Sequence, residues 1–238
     1  MTAQATNITA APTLVRRLRF RVPLLVAFGL GWLGLMVFTA VFADVIRPYD
    51  VTQMDLSARL VGPLSPGHLL GTDELGRDVL SRLIQSIRVS LVIAFGATLL
   101  SAFFGTTLGF LAAQFRGTVE HLILVLADFQ AALPFLILSL AVLAFFGSSM
   151  TLLVGLMGFY GWERYARISR GLAISAGAQG YASAVVQLGA NPSRVYLRHI
   201  LPNVASTLIV SMTLTFPEII LMESGLSFLG LGVQPPES

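Results

Sequence analysis

"VSLVIAFGATLLSAFFGTTLGFLAA", residues 89–113, runs for 25 positions without a charged side chain. At about 1.5 Å per residue, a helix needs roughly 20 apolar residues to cross the hydrocarbon core of a bilayer. The stretch therefore predicts a membrane-spanning helix, and its Gly105 and Gly109 form a G-x-x-x-G face on which another helix can pack closely. Four further segments qualify by the same test: 23–43, 122–146, 150–169 and 203–224. The fold class is an all-α integral membrane protein, a polytopic helical bundle with five spans.

Composition agrees. Of 238 residues, 55% are hydrophobic and 11% charged, with a mean hydropathy of +0.80, a balance that a water-soluble surface could hardly sustain. The net charge of +3 does not point to nucleic acid, because the arginines flank apolar runs instead of gathering on one polar domain. All 15 basic residues are Arg, so the Lys of a phosphate-binding P-loop is missing and the chain is not its own ATPase of that type. The absence of Cys excludes thiol chemistry. His68, His121 and His199 are too scattered for a metal motif, so no metal, catalytic or cofactor-binding residue is expected. The run Pro23–Ala43 follows a basic stretch, as in a signal peptide, but is longer than an ordinary leader core and lacks a clear A-x-A site, which predicts a retained first helix.

Arginine placement orients the spans. The tail 1–22 carries Arg16, Arg17, Arg19 and Arg21 without an acid, and the segment 170–202 carries Arg170, Arg194 and Arg198, with Arg164 and Arg167 at its edge. Both belong in the cytoplasm. The segment 44–88 balances five Arg against six acids, which suits the outer side. From Leu75 its apolar residues recur at helical spacing, which predicts an amphipathic interfacial helix with acid-first pairs Asp73–Arg77 and Asp78–Arg82. That helix either bridges two spans or also helps admit solute.

Between spans four and five, Tyr181, Ala184, Val185 and Leu188 share a helical face, and Gly189 is the residue expected where a helix ends. Asn191–Pro192 reads as N-cap and first turn of a second helix running to Pro202. Such a compact helix–turn–helix, with small residues Ala182, Ser183 and Ala184 on its exposed face, suits insertion into a partner's cleft. An ordinary loop anchored on lipid headgroups by its arginines is the alternative.

"YASAVVQLGANPSRVYLRHILPN" (181–203) resembles the cytoplasmic EAA loop of ABC-importer permeases, whose coupling helix fits a groove on the ATPase. "HLLGTDELGRDVLSRLIQSIRVSL" (68–91), "GWERYARISRG" (161–171) and "ESGLSFLGLGVQPP" (223–236) are similar to segments of the dipeptide, oligopeptide and nickel permease family, C-type subunits. The resemblance implies a type I importer permease core over 89–238 with a coupling loop at 170–202. It implies ATPase-coupling roles for Tyr181, Ala182, Ser183, Ala184, Leu188, Gly189, Ala190, Asn191, Arg194, Arg198 and Pro202. It further implies a paralogous permease subunit as heterodimer partner, cytosolic ATPases that bind ATP and Mg, an external solute-binding protein, and a bacterial inner membrane. Ser183 stands where the motif usually has Glu and Val185 where it has its second Ala, so a charged contact made by many relatives is absent. Relatives continue into one more span beyond the Pro-Pro stretch, so either the chain is naturally short there or a sixth span is missing.

Acids inside spans usually face a bundle interior or a water path. Glu218, after Pro217 and in the expected outer half of span five, and Asp128 are candidates for lining a translocation path; pairing within the bundle, with Gln130 or arginines of a neighbouring span, is the alternative. Glu223, near the outer end, reads as structural. The function expected is a permease subunit that forms half of the path for peptides or similar small solutes and couples to an ATPase through 181–202. A proton-coupled secondary transporter using Asp128 or Glu218, and a non-transporting scaffold that recruits a soluble partner, stand beside it.

Overall fold

A computed structural model describes residues 23–179, 184–185 and 187–233. The described residues form helices and loops with no strand beyond two isolated bridges. The chain divides into two units after Leu35. In the first, the described residues are the opening of α1 (Leu24–Val41), an apolar helix long enough to span a membrane. The second holds the end of α1, a short α2 (Ala43–Ile46), then α3 (Val79–Gln114), α4 (Thr118–Ala132), α5 (Phe135–Phe146), α6 (Met150–Tyr160), α7 (Trp162–Gly177) and the long helix α8 (Pro192–Phe228).

The expected interfacial helix and second span are one helix. No Gly or Pro interrupts the chain between Val79 and Phe95, so α3 continues for 36 residues, about 54 Å at the ordinary helical rise. Asp78 is its N-cap, accepting from the Ser81 N–H at 2.8 Å. Consequently Asp78 does not pair with Arg82. It faces His68 Nδ1 at 2.9 Å, and Arg82 reaches Asp73 at 2.7 Å. The Asp73–Arg77 pair does form, at 2.8 Å, although within a turn and not a helix.

Span three is also altered. Leu133–Pro134 breaks it into α4 and α5, bent by 84°, because Pro has no N–H to continue the ladder and clashes with the preceding turn. Span four is interrupted at Gly161 between α6 and α7. Among the described residues three helices can cross a membrane by length and composition, or four if the bent pair counts as one, against the five expected.

Small residues bring α3 and α7 together. The buried face of α7, Trp162, Tyr165, Ala166, Ser169, Ala173 and Ala176, packs on α3. At Gly105 a Cβ would stand 2.3 Å from the Trp162 carbonyl, and at Gly109 2.0 Å from Ser169 Oγ. Ser169 Oγ donates to the Tyr165 carbonyl at 2.7 Å, which satisfies the buried hydroxyl. Membrane helices associate through such close backbone approach because the apolar drive is the same in lipid and protein. The larger core holds Ile93 and Ala97 of α3, Leu143 of α5, Leu153 and Met157 of α6, and Ile219 and Leu226 of α8. Large apolar side chains such as Phe103, Leu214 and Leu221 point outward.

The connection between α2 and α3 is held by polar contacts. Thr72 Oγ1 donates to the Ala58 carbonyl at 2.5 Å and accepts from the Val61 N–H at 2.9 Å. Burial opposes the charge on Asp73, but the N–H groups of Arg77 and Leu75 and the Arg77 guanidinium outweigh it and hold the carboxyl at about 2. A depressed carboxyl stabilises the loop above its ordinary value near pH 4 and loses that contribution as pH falls through the folded value. Asp73→Ala should therefore raise hydrogen exchange at the Leu75 and Arg77 amides about tenfold at neutral pH, and in the unaltered chain the same protection should fade between about pH 4 and 2. Unchanged protection in the variant would remove Asp73 as the anchor.

Candidate functional site

The insert between α7 and α8 is built on one turn. Leu188 N–H donates to the Ala184 carbonyl at 3.1 Å and Ala190 N–H to the Val185 carbonyl at 3.3 Å. Between them Gly189 has φ +78°. This is a Schellman ending, in which the left-handed residue lets the chain turn back and satisfies a carbonyl of the last helical turn. Leu188 is 87% exposed, whereas Val185 and Ala190 pack against a core of Phe110, Ala173, Val195 and Ile200. The turn is thus moored on one side and bare on the other. Tyr181, Ala182 and Ser183 lie outside the described residues.

Asn191 precedes α8 with extended backbone and makes no side-chain cap, and Pro192 fills the first turn, where its missing N–H costs nothing. The helix beyond does not end at Pro202. Residues Val195–Ile200 form a π turn and Leu201–Phe228 continue as α-helix, which puts Pro202 in the first turn after the change of hydrogen-bond pattern. The wider turn accommodates a residue with no N–H, so insert and span become one rod. Arg194 and Arg198 are exposed on it, and neither joins an ion pair among the described residues.

A set of ion pairs lies along α7. Arg164 grips Glu218 of α8 with both terminal nitrogens, at 2.7 and 3.1 Å. Arg167 donates to Asp128 of α4 at 3.0 Å and to the Ala127 carbonyl at 3.1 Å. Arg170 donates from Nε to Glu120 of α4 at 2.6 Å. Successive arginines three residues apart turn by about 60° around a helix, which lets one helix reach α8 at one end and α4 at the other. The Arg164–Glu218 pair lines a recess of about 40 Å³ with Tyr160, Thr215 and Met222.

One pair is incompatible with two expected depths taken together. Arg164 was expected at the cytoplasmic edge and Glu218 in the outer half, yet they bond to each other. The α7 helix runs on to Gly177, about 20 Å beyond Arg164, so the arginine lies in its first turn, at the end away from the insert. The pairing of Glu218 and Asp128 with arginines of a neighbouring helix is the alternative that the sequence left open; the part played by Glu120 was missed. The available signal was "RYARISR" (164–170), with Arg recurring every third position in an otherwise apolar stretch.

Glu223 sits apart from these pairs. Only 7% exposed, it accepts from Ser90 Oγ of α3 at 3.0 Å and Ser227 Oγ at 2.7 Å. Among the described residues no group of His, Cys, Asp and Glu could hold a metal ion.

Residues 105–238 match the family described as the binding-protein-dependent transport system inner membrane component. A di/tripeptide transport system permease protein of Pseudomonas aeruginosa is 38% identical, over 87% of this chain and 70% of its own. A glutathione transport system permease protein of Pectobacterium atrosepticum is 35% identical over 85% of this chain and 67% of its own. An oligopeptide transport system permease protein of Bacillus subtilis is 34% identical over 92% of this chain and 72% of its own. With apolar helices of spanning length, an exposed turn between the two helices that share the Arg164–Glu218 pair, and these likenesses, the chain belongs to the binding-protein-dependent transport system inner membrane components, the permease subunits of ABC importers.

Proposed function

We propose that the chain forms half of a translocation path for peptides, together with a paralogous permease subunit, and that its insert seats in a groove of a cytosolic ATPase. Peptides are the solute class because the relatives are named for glutathione, di- and tripeptides and oligopeptides. In this reading tail 1–22 and loop 170–202 face the cytoplasm, 44–78 faces outward to the solute-binding protein, and ATP and Mg belong to the ATPase partners. Lipid surrounds the outward apolar faces.

The observation that carries the reading is the placement of the insert. The bare Gly189 turn stands between α7 and α8, and the same two helices hold Arg164 and Glu218 together. A push on the turn by an ATPase closing on ATP is delivered along two rods to that pair. Asp128 and Glu218 each hold a guanidinium, and taking up a proton would sacrifice the ion pair, which weighs against a proton-driven carrier.

Gly189→Val tests it. A β-branched residue at positive φ costs about 1–2 kcal/mol, so ATPase co-purified with the membrane complex should fall at least about fivefold, with uptake falling in parallel. Undiminished ATPase, or proton-driven uptake by this chain alone, would sink the reading.

A further inference from the structure

Three described acids of the helical bundle, Glu120, Asp128 and Glu218, each have an arginine partner, and Glu163, which has none among the described residues, lines the recess beside Arg164. Glu223 is buried more deeply than the three paired acids and joins no ion pair among the described residues. The chain contains no Lys. The arginines at the same end of α3 are engaged elsewhere, Arg82 with Asp73 and Arg88 with Asp44. Two serine hydroxyls satisfy one lone pair on each Glu223 oxygen, and a carboxylate offers about four. Among the described residues the negative charge is left without a counter-charge, an arrangement that burial penalises.

Glu223 also lines an open cleft of about 340 Å³ between the start of α3 and the end of α8, with Ser86, Ser90, Ser224 and Ser227 around it and Val89 and Val233 as apolar walls. Ser86 and Ser224 are exposed there. One carboxylate among hydroxyl acceptors matches a group with three N–H donors and a single positive charge. Apolar walls suit the carbon next to it, and the cleft has the volume of a small-ligand pocket. The cleft lies at the end of α8 remote from Gly189, near Phe228.

We propose that this cleft recognises the primary ammonium group of the transported solute, Glu223 supplying the counter-charge and the serine hydroxyls the remaining acceptors. The inference rests on the permease reading above and names the part of the solute that is recognised. Glu223 then exchanges weak hydroxyl donors for a charged one as the solute arrives.

The test uses the complete complex in proteoliposomes, with ATP and binding protein saturated with either trialanine or N-acetyl-trialanine, so that capture by the binding protein does not set the rate. The expected result is a preference of about tenfold for the free amine, reduced to less than about twofold in Glu223→Gln. Ser224→Lys, on an exposed position that does not threaten folding, should place an ammonium in the cleft from the protein side and lower trialanine uptake about tenfold while ATPase co-purification stays intact. Full preference in Glu223→Gln, or wild-type trialanine uptake in Ser224→Lys, overturns the proposal. So does a preference that disappears when sodium and potassium are replaced by N-methylglucamine, since the cleft would then hold an inorganic cation. Uptake of neither solute by the unaltered complex overturns the peptide-permease reading itself, and this inference with it.

Discussion

Gly109→Leu is expected to leave almost no folded permease in the membrane. A Cβ at this position would lie 2.0 Å from Ser169 Oγ, 2.4 Å from the Ala166 carbonyl and 3.0 Å from the Arg170 N. Two of those neighbours are backbone atoms of α7, which cannot swing aside as a side chain can. Relief requires α3 and α7 to part, and with them the packing of Trp162, Tyr165 and Ala166 on α3. Overpacking of a filled interior typically costs about 1–3 kcal/mol, so Gly109→Ala should already lower the melting temperature of the purified complex. Leucine should exceed that range and abolish accumulation. The control is Gly171→Ala, where a Cβ meets nothing within 4 Å; it should fold normally. Accumulation of Gly109→Leu at the level of that control would show that α3 and α7 are not in backbone contact in the membrane.

The second large effect concerns the Arg164–Glu218 pair. The side chains are 48% and 38% exposed, and in water such a pair would contribute less than about 1 kcal/mol. Their recess is only partly open, so leaving one charge without its partner should cost more than that, though less than the roughly 3–5 kcal/mol of a fully buried pair. Glu218→Gln and Arg164→Ala should therefore each reduce uptake more than about tenfold, and Glu218→Arg, which opposes two guanidinium groups, should reduce it further. Exchanging both charges, Arg164→Glu with Glu218→Arg, restores attraction and should recover a substantial part of the loss. Co-purified ATPase should be retained throughout, because the insert is untouched. If the single variants transport normally, or if the double exchange performs no better than its worse component, the pair does not link α7 to α8 during transport.

Much of the fold was legible in the sequence because hydrophobic length and punctuation are local properties. Residues 89–113 predict a spanning helix from composition alone, and Gly105 and Gly109 advertise a close-packing face on it. The Gly189 turn was equally legible, since a residue without a Cβ is what a left-handed helix ending requires. The misreadings share a cause. Where one helix ends and another begins inside an apolar run depends on a single residue such as Pro134 or Gly161, and hydropathy averages over it. Pro202 misled in the opposite direction: a proline normally stops a helix, but a preceding π turn carries α8 through it.

Within the candidate site the division follows sequence distance. The turn at 184–190 is closed by bonds between residues at most five apart, so its residues announce it. Arg164 and Glu218 are 54 positions apart, and Ser90 and Glu223 are 133 apart. No period or motif relates them, because they meet only when α7 and α8 lie side by side and the ends of α3 and α8 coincide. By itself the sequence determined that this chain enters a membrane as helices and presents a polar helix–turn–helix, since burial of apolar side chains and the conformation of Gly act locally. Only the tertiary structure decided which carboxylates are neutralised by arginine and that Glu223 faces a cleft instead, since a long-range ion pair exists only through the packing that brings its two ends within about 3 Å.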